Sequence, residues 1–242
     1  MAIEVHSSSP SLVFGHVKTV TTDSFTPPAG ALLVASVMSK YDSSIPLTNG
    51  GSSLLWTQQV LAINTNAISA IYTAPAIAQF TTVTATIDYF GGSETTAPLA
   101  LKIYVLTGAD VANPVGAKNA AQNTGVQDWN WTPFSSAEAD SLSICAACDD
   151  YQTNINSSTD PYEQFNQMAP AGTGSSSWLS GLALRKATPV DASGTPVTFN
   201  IHCNASSPST KWAATAVEIR AATTPRPRPL AITSSAHRAG AW

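Results

Sequence analysis

The stretch Ser24–Met38, SFTPPAGALLVASVM, decides the fold of this chain. A turn built on Pro27, Pro28 and Gly30 leads directly into a nearly unbroken apolar run, Ala31–Val37. A short apolar run bounded by turn residues is typical of a strand covered on both faces, so we place it centrally in a sheet. Short β-type runs divided by Gly, Pro, Asn and Ser clusters recur along all 242 residues and predict an all-β sandwich.

Three runs alternate between apolar and polar residues most regularly: Thr82–Tyr89, Leu99–Val105 and Val197–Cys203. This period predicts strands with one face on a core and one in water. The residues predicted to face inward are Val83, Ala85, Ile87, Tyr89, Leu99, Leu101, Ile103, Val105, Val197, Phe199, Ile201 and Cys203. Lys102, Asn200 and His202 are predicted to face outward. We expect about ten antiparallel strands in a jelly-roll-like sandwich that forms a single domain over residues 1–221.

Two segments carry few strand signals and read as long connections, residues 108–140 and 149–177. Aromatic residues lie among their small polar residues: Trp129, Trp131, Tyr151 and Tyr162 are the ones we single out. Connections of this length are uncommon in compact domains and are usually functional. Two interpretations stay open, a segment that packs its own aromatics against the sandwich and an adaptable recognition surface.

The composition narrows the classes of function. Charged residues make up 11% of the chain, against about 25% in an average domain. The formal net charge of -4 argues against general binding of nucleic acid, which requires a basic face. No apolar run is long enough for a transmembrane helix, and the first ten residues, MAIEVHSSSP, lack the pattern of a secretory signal. We therefore expect synthesis in a cytoplasm and no insertion into a membrane.

Cys145 and Cys148 form a C-x-x-C, which in other contexts indicates redox chemistry or half of a zinc site. In SLSICAAC the alternation places Leu142, Ile144, Ala146 and Cys148 on one face, so Cys145 points the opposite way. No second pair of ligands completes a set of four. We expect structural cysteines.

The sequence offers no constellation that indicates an enzyme. A nucleophile elbow and a glycine-rich phosphate loop are both absent. Acidic residues gather at 149–163, namely Asp149, Asp150, Asp160 and Glu163. They read as a solvated polar loop; calcium ligation and paired-carboxylate catalysis remain alternatives without a diagnostic spacing. We predict no cofactor and no enzymatic activity.

Residues 222–242 differ from the rest of the chain. This segment has three arginines, three prolines, no acids and a terminal tryptophan. The run Pro225–Pro229 favours an extended, polyproline-like arm. We hypothesise that the arm binds another subunit, with these contact residues: Pro225, Arg226, Arg228, Arg238 and Trp242.

The order of segments resembles a known family. SFTPPAGALLVASVM is followed by SSLLWTQ (Ser52–Gln58), AIYTAPA (Ala70–Ala76), TVTATIDY and LALKIYVLTGADVANPVGA (Leu99–Ala117). This succession resembles β-sandwich minor tail or virion-associated proteins of tailed bacteriophages, especially those that infect actinobacteria. The resemblance covers residues 24–117 well and the later half loosely. Its motifs are turns and strands, so it implies a place in a virus particle and no functional residue.

We therefore interpret the chain as a non-enzymatic structural component of a phage virion, in the tail, the tail tip or a head decoration. Its expected partners are other virion proteins and copies of itself, and its loops are candidates for contact with a host-surface glycan. Assembly would take place in the host cytoplasm. The alternative is a carbohydrate-binding module in which Trp129, Trp131, Tyr151 and Tyr162 form a stacking platform. A glycan-degrading enzyme is a third, weaker interpretation.

Overall fold

The computed structural model describes residues 2–40, 44–87, 96–125, 128–151, 155–167, 178–203 and 210–223. Regular structure in these ranges is entirely β, and all the strand pairs are antiparallel. The described residues contain no helix that could cross a membrane. The all-β prediction is confirmed.

The first nine strands form two sheets, which we call the N-terminal unit. Their bounds are β1 (Glu4–Val5), β2 (Val13–Val17), β3 (Thr19–Thr21), β4 (Leu32–Ser39), β5 (Leu47–Gly50), β6 (Thr57–Asn64), β7 (Ala67–Pro75), β8 (Thr82–Thr86) and β9 (Ala97–Thr107). The N-terminal inner sheet has the order β1-β9-β4-β7-β6, and β2 pairs with β9 beside β1. The N-terminal outer sheet has the order β3-β8-β5.

The remaining strands form the C-terminal unit. Their bounds are β10 (Val115–Thr124), β11 (Asp128–Ser135), β12 (Leu142–Asp149), β13 (Ile155–Ser157), β14 (Tyr162–Gln167), β15 (Leu179–Arg185), β16 (Pro196–Cys203) and β17 (Lys211–Ile219). The C-terminal inner sheet has the order β10-β17-β12-β15-β14, and the C-terminal outer sheet has the order β11-β16-β13.

The two units repeat one topology. Counted from β2 and from β10, each unit has an inner sheet in the order 1-8-3-6-5 and an outer sheet in the order 2-7-4. The central strands LLVASVMS (β4) and LSICAACD (β12) occupy equivalent places in the two units. The repeat lies in the order of strands, and few residue identities mark it in the sequence.

The units stack through their inner sheets, so the described chain has four layers. Strand β4 lies against β12, β7 against β17, β6 against β10, and β2 against β14. These contacts indicate that an approximate two-fold axis relates the two units. A central core fills the space between the inner sheets, and an N-terminal and a C-terminal core fill the space between each inner and outer sheet.

Each inner sheet is covered on both faces, which explains why the run Ala31–Val37 is apolar at nearly every position. In β4, Leu32, Val34 and Met38 enter the central core, while Leu33, Ala35 and Val37 enter the N-terminal core. The prediction that this strand is covered on both faces is confirmed. The predicted inward residues of the three alternating runs are also buried wherever their side chains are described; Tyr89 lies outside the described residues.

Three expectations were wrong. The described residues contain seventeen strands instead of about ten, and they form two repeated units instead of one pair of sheets. Residues 108–140 and 149–177 contain β10, β11, β13 and β14 and are not simple connections. Strand β10, VGAKNAAQNT, escaped detection because it is a largely exposed edge strand of small and polar residues. Lys102 faces the central core and not water, because β9 also has both faces covered.

A buried carboxylate fixes one corner of the C-terminal unit. Glu218 on β17 is fully buried and accepts hydrogen bonds from the amides of Ala117 (2.8 Å) and Ala137 (2.9 Å) and the hydroxyl of Ser141 (2.6 Å). The amide of Glu138 donates a further bond of 3.2 Å. The carboxylate thus holds edge strand β10 and the turn before β12 to the same point.

The connection between the units is anchored at Gly108. This residue has φ +75°, and a Cβ atom there would collide with the carbonyl oxygen of Ala2. The amide of Ala222 donates to the Gly108 carbonyl at 2.8 Å, and Ala109 bridges to Ala221. Both ends of the described chain therefore meet the same glycine.

We expect Glu218→Ala to lower the free energy of unfolding by about 3 kcal/mol, because it leaves several buried donors without an acceptor. Denaturant unfolding measures the change. The matched control is Glu4→Ala, at an exposed position, which should alter stability by less than about 0.5 kcal/mol. Equal effects of the two variants would contradict a structural role for Glu218.

Candidate functional site between the inner sheets

The boundary between the units combines small apolar residues with a few polar contacts. Ser69 on β7 contacts the hydroxyl of Thr215 on β17 at 2.7 Å and donates to the carbonyl of Ala146 on β12 at 2.9 Å. The side-chain amide of Asn66 donates to the carboxylate of Asp150 at 3.1 Å. These bonds satisfy buried polar groups and set the register of one inner sheet on the other.

One edge of this boundary is open, because a strand is interrupted there. In the C-terminal unit β10 follows β17 along its length, whereas in the N-terminal unit the equivalent strand is divided into β1 and β2. Residues 6–12, between β1 and β2, leave the sheet. Polar contacts hold this segment to β9, such as the hydrogen bond of 2.9 Å that the amide of Val105 donates to the hydroxyl of Ser9. The excursion uncovers the part of β9 that carries Lys102 and Tyr104.

The result is a polar cleft of about 330 Å³ between the excursion, β9 and the edge of the C-terminal inner sheet. Its walls are formed by Val5, His6, Ser7, Ser9, Lys102, Tyr104, Pro161, Tyr162, Glu163 and Arg185. A second cleft of about 430 Å³ adjoins it and shares Val5 and Arg185. We call the first cavity the inter-sheet cleft.

Lys102 and Glu163 close the floor of the inter-sheet cleft. The Lys102 ammonium donates to the Glu163 carboxylate and, at 2.8 Å, to the carbonyl of Pro10. The other carboxylate oxygen of Glu163 accepts from the amide of Leu12 at 2.6 Å. The pair therefore links β9, β14 and the excursion, and the one acid that lines the cleft is already bound.

Tyr104 stands beside this pair. The Lys102 ammonium lies 5.4 Å from the centre of its ring. The residue is 5% exposed, and its hydroxyl has no hydrogen-bond partner within the described part of the chain. Burial, followed by the nearby Glu163 carboxylate, raises the pKa of Tyr104 above its ordinary value. The hydroxyl is therefore protonated and able to donate at any physiological pH.

Arg185 supplies the second cation of the cleft. It pairs with Ile144 across β12 and β15, and that position faces the central core. One Nη donates to the carbonyl of Lys186 at 3.0 Å, and no ion pair of Arg185 is formed by the described residues. On the opposite wall, His6 uses Nδ1 to contact the Ser8 hydroxyl at 2.9 Å. The groups left to meet a ligand are mostly donors.

Three of the aromatic residues predicted to form a glycan platform, Trp131, Tyr151 and Tyr162, lie apart. Trp131 on β11 is half buried and packs against the C-terminal core; Trp129 lies on the same strand, and its side chain is outside the described part of the structure. Tyr151 and Tyr162 are exposed but lie at opposite ends of β15, since Tyr162 pairs with Leu184 and Tyr151 accepts a hydrogen bond from Ser180. Of the three described side chains, only that of Tyr162 borders the inter-sheet cleft.

The residues predicted in the arm lie outside the described residues. These are Pro225, Arg226, Arg228, Arg238 and Trp242. Their proposed contacts stay a prediction.

The acids that were expected in one solvated loop are separated and engaged. Asp149 is buried at the end of β12, and Asp160 is buried against the ammonium of Lys186 at 3.0 Å. Asp150 accepts from the amide of Lys211 at 2.7 Å, and Glu163 binds Lys102. The solvated-loop interpretation was wrong for Asp149 and Asp160. Within the described ranges no group of three or more His, Cys, Asp or Glu residues could hold a metal ion.

The two cysteines on β12 face opposite sides of the strand, as predicted from alternation. Cys148 lies in the central core and donates to the carbonyl of Ile68 at 3.2 Å, while Cys145 lies in the C-terminal core. Burial raises the pKa of both thiols well above the ordinary value, which disfavours the thiolate form.

Sequence reasoning missed the inter-sheet cleft, because it assigned Lys102 to solvent. A signal was present in the sequence. In APLALKIYVLT the residues that alternate with the buried Leu, Ile and Val side chains, and so share a face with Lys102, are Pro98, Ala100, Tyr104 and Leu106, none of them charged. Apolar residues at both parities indicate a strand covered on both faces, and a lysine in such a strand needs a buried partner.

Comparison of the chain with protein-family models, curated proteins and solved structures gives no match.

A double-mutant cycle on Lys102→Met and Glu163→Gln should give a coupling of about 1–2 kcal/mol in the free energy of unfolding. The side chain of Lys102 is 5% exposed and that of Glu163 is 41% exposed, so solvent screens their attraction mainly from the carboxylate side. The comparison pair is Arg220 and Glu138, whose side chains are 32% and 45% exposed and whose coupling should stay below about 0.5 kcal/mol. Similar small couplings for both pairs would show that Lys102 does not link the units energetically.

Proposed function

We propose that this chain is a non-enzymatic structural component of a bacteriophage virion that binds neighbouring virion proteins and copies of itself. The observation that carries the proposal is a pair of contacting loops that present large apolar side chains from a firmly packed sandwich. A rigid body with an exposed apolar patch is suited to holding other proteins. The resemblance of residues 24–117 to phage virion proteins supplies the setting.

The apolar loops lie at one end of the N-terminal unit, and we call them the apolar tip. Leu55 follows β5 and is 85% exposed; Phe80 and Ile77 precede β8 and are 64% and 40% exposed. The two loops touch, because the Ser52 hydroxyl donates to the Thr81 hydroxyl at 2.9 Å. Clustered apolar exposure of this kind marks protein contacts more often than isolated surface residues do.

The backbone beneath the apolar tip is fixed. Gly51 has φ +84°, and a Cβ atom there would collide with the carbonyl oxygen of Phe80. Phe25 and Thr81 exchange backbone hydrogen bonds of 3.0 and 2.9 Å, which ties a third segment to the same place. A presentation surface of this rigidity loses little conformational entropy on binding.

The strand order supports a finer part of the proposal, that each unit is derived from a jelly roll. Strands 1-8-3-6 facing strands 2-7-4 correspond to that arrangement, with strand 5 moved to the edge of the inner sheet. Jelly rolls are common in viral capsid proteins, and virion components occur in symmetric copies. The proposed location is the virion, after assembly in the host cytoplasm.

We expect Leu55→Ser with Phe80→Ser to reduce incorporation into phage particles about tenfold or more, because apolar anchors dominate protein interfaces. Quantitative mass spectrometry of purified particles measures the copy number. The control is Ile63→Ser, at a similarly apolar surface position on β6, with incorporation unchanged. Absence of the unmodified protein from particles would overturn the proposed function itself, and full incorporation of the double variant would overturn the role of the apolar tip.

Deletion of residues 225–242 tests the arm separately. The chain is held to the folded body up to Ala222, so removal beyond that point should leave the thermal unfolding midpoint unchanged. We expect the truncated chain to self-associate less than the full chain, as measured by sedimentation velocity. Lowering the salt concentration should not restore its self-association. Unchanged assembly would remove the arm from the proposed contacts.

A further inference from the structure

The inter-sheet cleft has the chemistry of a ligand site that is independent of the proposed virion contacts. We propose that it binds the carboxylate group of a small, hydroxyl-rich molecule of the sugar-acid class. Every residue that lines the cleft lies in the described part of the chain. The charge of the cleft, its unpartnered donors and its size each favour such a ligand.

The charge of the cleft favours a ligand with one negative charge. Glu163 is neutralised by Lys102 within the floor, and its second oxygen is occupied by the amide of Leu12. Arg185 lines the same cavity without an ion-pair partner among the described residues. Arg185 therefore supplies one positive charge that no described carboxylate compensates, which matches a carboxylate ligand better than a doubly charged phosphate.

The donors of the cleft suit a carboxylate in particular. A guanidinium presents two parallel N–H groups that fit both oxygens of a carboxylate. Tyr104 is 5% exposed and lines the same cavity. Its hydroxyl has no hydrogen-bond partner within the described ranges. This hydroxyl opens into the cleft, so it can donate to an oxyanion oxygen of a ligand without giving up a contact within the described part of the protein.

The opposite wall favours hydroxyl groups on the rest of the ligand. His6 has a second ring nitrogen, and Ser7 a hydroxyl, that no described residue bonds. The volume of about 330 Å³ exceeds the space that a carboxylate alone would fill and lies at the lower end of the range for ligand clefts. A monosaccharide acid fits both requirements.

Chemical-shift titration of the ¹⁵N-labelled full chain with glucuronate tests the proposal. We expect saturable shifts at residues of β1 and β9 with a Kd on the order of 1 mM, as the size of the ligand allows. Glucose tests whether the carboxylate is needed, and acetate tests whether the hydroxylated ring is needed. Inorganic phosphate tests the preference for a single negative charge. Each of the three should bind about tenfold more weakly than glucuronate.

Tyr104→Phe is the decisive variant, because it removes a hydroxyl that bonds none of the residues the structure describes. We expect it to weaken glucuronate binding about tenfold without lowering the thermal unfolding midpoint. The matched control is Tyr72→Phe, which deletes a hydroxyl that donates to the carbonyl of Ile45 at 2.9 Å. The control should lower the midpoint and leave the affinity unchanged. Arg185→Gln should abolish measurable binding.

The proposal fails if glucuronate causes no saturable shifts, or if Tyr104→Phe and Arg185→Gln both bind it as the unmodified chain does. Equal affinity for acetate or phosphate would show a general anion site and overturn the sugar-acid assignment. Equal affinity for glucose would show that the carboxylate is not recognised. None of these results bears on incorporation into particles, so the two proposals fail separately.

Discussion

The structure depends on one constraint, that both inner sheets are buried on both faces. A sheet between two layers needs apolar side chains at most positions of its central strands, and β4, β9, β12 and β17 meet this need mainly with Leu, Val, Ile, Ala and Cys. Some of the polar groups on the inner sheets are bonded across the boundary, as Ser69 is to Thr215 and Lys102 to Glu163. The buried Glu218 is bonded within the C-terminal unit.

The inter-sheet cleft arises where the repeat of the two units is imperfect. A complete strand at the position of β1 and β2 would cover β9 as β10 covers β17. Division of that strand leaves Tyr104 and Lys102 beside an opening, and Arg185 faces them from the other unit. Deviations from an internal repeat are places where a sandwich can acquire a binding site without loss of its core.

The sequence predicts the sandwich class and much of the burial, because alternation directly reports which side of a strand meets a core. It predicts the opposite orientation of Cys145 and Cys148 for the same reason. It also predicts that β4 is covered on both faces, because apolar residues fill both sides of that run. In β9 the lysine obscured the same signal, and the face of Lys102 is buried because a distant part of the chain covers it. Strand β10 is missed because an exposed edge strand of small residues has no pattern to detect.

Gly108 gives the molecule a single point of attachment. Ala2 and Ala222 both contact this residue, so a tether on either side of the described body would hold it at one pole. Tension between two such tethers would act on the few contacts around Gly108 and bypass the long ladders of the inner sheets. Val5 and His6, which follow closely after Ala2 and line the inter-sheet cleft, would be the wall residues nearest to such a load.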